Sequence, residues 1–132
     1  MALKTKGIKE LRIPGDGLRV SVMSRHTLSD GITPDPEITL ATYDEWWPEL
    51  APPAHLIGSY YKRGLEWKLF EEEFVKHLSS SRAQTRLWQL IALSQNSPIT
   101  ILCIEKSPAQ CHRRLVAEAC KKMDPFLEVI IE

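Results

Sequence analysis

The sequence has no excess of charge of either sign, because 17 Lys and Arg residues balance 17 Asp and Glu residues among 132. A balanced chain has no overall field that would draw it to nucleic acid or an anionic membrane, so either partner would need a local patch. Its apolar runs fall short of a membrane span, and its first residues hold no apolar core of signal-peptide length. We therefore expect a cytoplasmic protein without a membrane partner.

The chain has only three cysteines, an odd number: Cys103, Cys111 and Cys120. An odd count does not complete a disulfide framework, and a reducing cytoplasm would keep the thiols free. The chain also lacks a glycine-rich phosphate loop, a Gly-x-Ser-x-Gly elbow and a phosphatase-type cysteine loop. The cysteines are therefore interpreted as reduced core residues, ligands or reactive groups.

The length predicts a single domain over residues 1–132. Alternating apolar residues predict a strand at 17–23, and 6–14 is a further strand candidate. The β-branched run at 98–104 is apolar throughout, as expected of an interior strand of a parallel sheet with helices on both sides. A helix over roughly 108–123 and a last strand at 126–132 complete a βαβ unit. The fold class is α/β, a small sandwich with a mostly parallel sheet of about three to four strands flanked by helices.

Apolar residues recur at helical spacing in the middle of the chain. A capping box at 42–45 predicts a short helix that carries Trp46 and Trp47. A second helix is expected over 54–64, a third amphipathic one after Trp67 and a fourth after the serines at 79–81. Trp67 and Trp88 are predicted to pack in the core.

The stretch CIEKSPAQCHRR, at 103–114, concentrates most of the reactive side chains. Cys103 and Glu105 would end a parallel strand, where open α/β sheets bind their ligands. Ser107, Pro108 and Gln110 form a capping box, and the helix start would favour anions and lower the pKa of a nearby thiol. If the strand at 17–23 runs parallel to the strand at 98–104, its carboxyl end lies at the same edge of the sheet. One cleft would then collect Arg25, His26, Cys103, Glu105, Cys111, His112 and Arg113.

Catalysis is assigned to Cys103, Glu105 and His112. Adjacent positions on a helix point about 100° apart, so Cys111 and His112 do not by themselves pair as a thiol and a base. Cys103 with His112 is the more plausible dyad. Both residues also have plain structural interpretations, because a free cysteine is often a small core residue and His112 can simply hydrogen-bond at the helix end.

Ligand binding is assigned to Arg25, His26, Cys111 and Arg113. Arg114 can pair with Glu118 at the surface, whereas Arg113 has no comparable surface role unless it pairs with Glu105 or binds an anion. The guanidinium of Arg113 is therefore predicted to point into the cleft, where its planar fork suits phosphate, sulfate or carboxylate. The predicted helix buries one stripe, made of His112, Leu115, Val116, Ala119, Cys120 and Met123.

Two alternatives accompany a small-ligand enzyme. A non-enzymatic module could use the same cleft for nucleic acid or a protein, although the neutral charge argues mildly against nucleic acid. A tetrahedral zinc set could be made of Cys103, Cys111, His112 and His26. Seven residues separate the two cysteines, unlike the roughly two to four of common zinc modules, so we assign no metal and no cofactor.

The stretch Cys103-Ile-Glu-Lys-Ser-Pro-Ala-Gln-Cys111-His112-Arg113 resembles the signature of the "domain of unknown function 488" family. That signature has the order Cys, any residue, Glu, two others, Pro, two others, Cys-His-Arg. Segments 16–25 and 50–56 resemble a shorter branch, whose first strand usually ends in Asp-Arg-Leu-Trp-Pro-Arg-Gly; this chain keeps only Arg25 and Gly31 of it. The resemblance implies a cytoplasmic prokaryotic α/β domain and marks the motif as a site without naming a reaction.

Overall fold

The computed structural model describes residues 2–105 and 109–132, which form a five-stranded parallel sheet with helices. The spatial order of the strands is β3-β2-β4-β1-β5. The strands are β1 (Ala2–Gly7), β2 (Leu18–Ser21), β3 (Glu45–Trp46), β4 (Ile99–Cys103) and β5 (Glu128–Ile131). The predicted α/β class is confirmed, with slightly more strands than expected. Strand β4 is interior, as its apolar sequence requires.

The described residues contain four α-helices, which follow the predicted spacing in the middle and at the end of the chain. They are α1 (Ala54–Arg63), α2 (Trp67–His77), α3 (Ser81–Ser94) and α4 (His112–Met123). Helix α1 ends at Gly64, whose φ of 71° is the left-handed conformation that a glycine cap adopts readily. Helix α3 begins after Ser80, whose side chain accepts a hydrogen bond from the Ala83 N–H. None of the described helices is long and apolar enough to cross a membrane.

All four helices pack on one face of the sheet, so the expectation of helices on both sides is wrong. Alternate strand residues such as Leu3, Val20 and Ile101 share one core with side chains of every helix. The opposite face presents polar residues, among them Arg19 and Thr100, and is covered by loops. Arginine and threonine need hydrogen-bond partners when buried, and loop carbonyl groups supply them where a helix face could not.

The short helix predicted to carry Trp46, Trp47 and Leu50 after the capping box at 42–45 is also wrong. The Asp44 carboxylate accepts a hydrogen bond from the Arg19 N–H, and the Asp44 N–H donates to the Arg19 carbonyl. These two bonds place Glu45–Trp46 beside β2 as the edge strand β3. A 3₁₀ turn at Pro48–Leu50 follows. Trp88 is another difference, since 54% of it is exposed, whereas Trp67 packs partly against the core.

Candidate functional site

A pocket of about 100 Å³ lies at the carboxyl edge of the sheet, beside the start of helix α4. This is the edge at which parallel α/β sheets bind ligands. Part of its wall is aromatic and comes from helices α1 and α2, with Tyr61, Trp67 and Phe70. Five of the residues predicted from the sequence line it: Arg25, Cys103, Glu105, Cys111 and His112.

His112 is held in one orientation by the backbone. Its Nε2 lies 2.6 Å from the carbonyl oxygen of Val22. A carbonyl oxygen only accepts hydrogen bonds, so Nε2 must carry the hydrogen and donate it. The other ring nitrogen, Nδ1, lies 3.5 Å from the sulfur of Cys103, which is also 3.7 Å from Nε2. The structure therefore brings together the thiol and imidazole of the predicted dyad.

Cys111 joins the same cluster, although helical spacing alone would have pointed its side chain away from that of His112. The sulfurs of Cys103 and Cys111 and a ring nitrogen of His112 all lie within 4.8 Å of one another. Helix α4 begins at His112, and Cys111 precedes it with an extended φ of −132°. Because Cys111 is outside the helix, the separation of about 100° between helical neighbours does not apply.

The helix start differs from the predicted capping box. Gln110 lies in the turn before helix α4, and the proposed capping residues Ser107 and Pro108 lie outside the described residues. Cys111 occupies the capping position instead.

The two thiols have opposite electrostatic environments. The Cys103 thiol donates a hydrogen bond to the Cys111 sulfur and, with His112 nearby, lowers the pKa of Cys111 to about 3. Burial raises the pKa of Cys103, and its neighbour Cys111 raises it further. Any negative charge in the pair therefore resides on Cys111.

Arg113 does not point into the pocket, and that prediction is wrong. Its side chain is fully buried and donates to the backbone carbonyls of Glu105 and, at 3.3 Å, of Glu132. The buried face of helix α4 includes positions 113, 116, 117 and 120, which follow helical spacing. Arg113 thus belongs to the buried stripe itself, and it fixes the backbone after β4 to the end of β5.

The two residues predicted after β2 have different surroundings. Arg25 is exposed at the pocket wall, and its guanidinium donates to the carbonyl of Gly31 at 3.1 Å. His26 is not part of the thiol cluster. Its Nε2 lies 2.7 Å from the Ser21 hydroxyl and its ring lies against Tyr43 and Trp46, where burial lowers its pKa.

Tyr61 is a pocket residue that the sequence analysis missed. Its hydroxyl donates to the carboxylate of Glu105 at 2.9 Å. Burial and this carboxylate raise the pKa of Tyr61, so the phenol stays protonated as a donor. Tyr61 comes from helix α1, and only the tertiary packing of that helix brings it to the motif.

The model of the active DUF488-N3 subclade matches residues 3–124. No curated protein and no solved structure matches the chain. The matched span includes strands β1 to β4, helices α1 to α4 and the whole pocket edge. It covers far more than half of the 132 residues, so the chain belongs to the DUF488 family.

Proposed function

We propose that the protein is an enzyme that uses a cysteine sulfur as a nucleophile on a small ligand bound at the carboxyl edge of the sheet. The observation that carries this proposal is geometric. Nδ1 of His112, fixed by the carbonyl of Val22, lies 3.5 Å from one of two neighbouring sulfurs beside a pocket. A nucleophile, a base and a third group that orients the base form the arrangement found in covalent catalysis.

Each member of the cluster has a role in this proposal. Cys111 is the attacking sulfur, because it lies at the start of a helix, where free N–H groups stabilise negative charge. Cys103 donates a hydrogen bond to it, and His112 accepts the proton that the attacking thiol loses. Glu105 and Tyr61 form a hydrogen-bonded pair on the same pocket wall, where the Tyr61 hydroxyl is a hydrogen-bond donor and the carboxylate an acceptor for the ligand.

The ligand is proposed to carry an anionic group, such as a phosphate or a nucleotide. Arg25 supplies a cation at the pocket wall, and the apolar surface of Trp67 and Phe70 suits an uncharged part of the same ligand. A pocket of about 100 Å³ holds only the reacting part of such a molecule. A cytoplasmic location would keep both thiols reduced for this chemistry.

Alkylation tests the nucleophile. Under iodoacetamide, mass analysis of the peptides should show Cys111 labelled at least about tenfold faster than Cys120, since a helix-start thiolate in a pocket reacts faster than a core thiol. Cys111 is itself only 2% exposed but lines the pocket, whereas Cys120 lies in the main core, so Cys120 is the control within the same molecule. His112→Ala should slow the labelling of Cys111. Equal rates at both cysteines in the folded chain would contradict the proposal.

Phosphate tests the anion. Added inorganic phosphate should raise the melting temperature of the native chain, and Arg25→Ala should remove at least half of that rise. Lys122→Ala is the matched control, because Lys122 is an exposed cation at the far end of helix α4. The anionic part of the proposal fails if Arg25→Ala and Lys122→Ala respond to phosphate as the native chain does.

A further inference from the structure

We propose that Cys103, Cys111 and His112 also bind a zinc ion, with a fourth ligand position open to the pocket. Metal binding at this cluster is a second property of the site and needs no catalytic activity. The three ligand atoms lie within 4.8 Å of one another. Two thiolates and one imidazole are a donor set that suits zinc, which has no geometric preference of its own and accepts both sulfur and nitrogen.

The distance between the sulfur and the ring nitrogen already fits a bound ion. Zinc lies about 2.3 Å from cysteine sulfur and about 2.0 Å from histidine nitrogen, so a tetrahedral site separates these ligand atoms by roughly 3.5 Å. The distance from Cys103 Sγ to His112 Nδ1 is 3.5 Å. The same sulfur lies 3.7 Å from Nε2, so the two side chains have the required separation and need a rotation that turns the Nδ1 lone pair toward the ion.

The orientation of His112 also favours metal binding. Histidines that bind metals usually donate their second ring N–H to a carboxylate or a backbone carbonyl, which fixes the ring and its tautomer. Here Nε2 donates to the carbonyl of Val22 at 2.6 Å, which leaves Nδ1 as the ring nitrogen without a hydrogen, 3.5 Å from the sulfur of Cys103. The contact with Val22 therefore fixes His112 in the tautomer that metal binding through Nδ1 requires.

The sequence spacing argued against zinc because common zinc modules take their cysteines from one short turn. In this fold the ligands come from two elements: Cys103 ends strand β4, whereas Cys111 and His112 begin helix α4. Catalytic zinc sites commonly have three protein ligands and leave one position for water or a ligand. His26 is excluded as the fourth ligand, since it bonds Ser21 and lies outside the cluster.

The ion would control the proposed nucleophile. A zinc ion bound to both sulfurs and to Nδ1 occupies the single Nδ1 lone pair that proton transfer requires and lowers the nucleophilicity of the sulfurs by withdrawing their charge. The chain would then have a metal-free form with an available Cys111 sulfur and a zinc form in which it is blocked. This regulatory consequence rests on the proposed function, whereas the zinc site itself does not.

Cobalt is the direct probe of the site, because Co²⁺ occupies zinc sites and its bonds to thiolates absorb light. The reduced, metal-free full chain titrated with Co²⁺ should show a sulfur-to-cobalt band that saturates at one ion per chain and disappears when Zn²⁺ is added. Cys103→Ser, Cys111→Ser and His112→Ala should each weaken Co²⁺ binding at least about 100-fold. Cys120→Ser, which removes the cysteine outside the cluster, should bind Co²⁺ as the native chain does.

Absence of the band in the native chain, or its loss in Cys120→Ser, would overturn the zinc site. If a serine variant does not fold, His112→Gln with both cysteines intact provides the same test. Alkylation of Cys111 with and without Zn²⁺ separates the two proposals. Fast labelling without a cobalt band rejects only zinc, whereas a cobalt band with slow labelling of the metal-free chain rejects only the nucleophile.

Discussion

Replacing Asp16 with Asn should lower the free energy of unfolding by about 3 to 5 kcal/mol, because it breaks a buried ion network on one side only. Asp16 is fully buried and accepts hydrogen bonds from Lys6 at 3.0 Å and from Arg19 at 2.9 Å. Both cations are themselves buried. An amide keeps the shape of the carboxylate but leaves two positive charges without their counter-ion.

Urea unfolding measures this effect as a lower midpoint with an unchanged slope. Glu72→Gln makes the same chemical change at an exposed position of helix α2 and should alter stability by less than about 0.5 kcal/mol. A change of similar size in both variants would show that the network contributes nothing beyond surface charge.

The pH dependence gives the same prediction a second readout. Burial opposes ionisation of Asp16, but the N–H of Ile13 and the cations of Lys6 and Arg19 outweigh it and lower the pKa of the carboxyl. A lowered pKa in the folded state means that this stabilisation is complete above the ordinary Asp pKa of about 3.9 and is lost as the pH falls through the folded value. The difference between native chain and Asp16→Asn should therefore shrink in that acidic range.

The Asp16 network belongs to the part of the fold that could not be predicted from the sequence. Strand β4 could be predicted because Ile99–Cys103 has no charged residue and is rich in β-branched and apolar side chains, as expected of a strand that is buried on both faces. Lys6, Asp16 and Arg19 instead have the appearance of solvated turn and edge residues. Their burial follows from contacts between separate segments that cover the second face of the sheet, and no local pattern records those contacts.

The candidate site divides in a similar way. Cys103, Glu105, Cys111 and His112 could be grouped because a strand end and the next helix start are adjacent by chain connectivity. Tyr61 could not, because helix α1 reaches the pocket only through packing. The orientation of Arg113 was predicted wrongly because the buried face of helix α4 includes position 113, one residue away from the stripe that the apolar side chains indicated.

Replacing Arg113 with Ala should lower the free energy of unfolding by about 3 kcal/mol or more, because it leaves a cavity and removes the donor for two backbone carbonyls. The side chain is fully buried and joins the carbonyl of Glu105, beside the pocket, to that of Glu132 at the end of the sheet. Arg113→Lys keeps the charge but lacks the planar fork that reaches both carbonyls, so it should lose roughly 1 to 3 kcal/mol.

Arg114→Ala is the matched control for Arg113→Ala, since the two residues are adjacent and differ in burial. Arg114 pairs at the surface with Glu118 and Glu71, both at 3.0 Å, and its loss should change stability by about 1 kcal/mol or less. Phosphate should also raise the melting temperature of the Arg113 variants by as much as it raises that of the native chain, because the native Arg113 guanidinium contacts backbone carbonyls. An Arg113→Lys chain with native stability and no phosphate response would instead assign Arg113 to anion binding, as the sequence alone suggested.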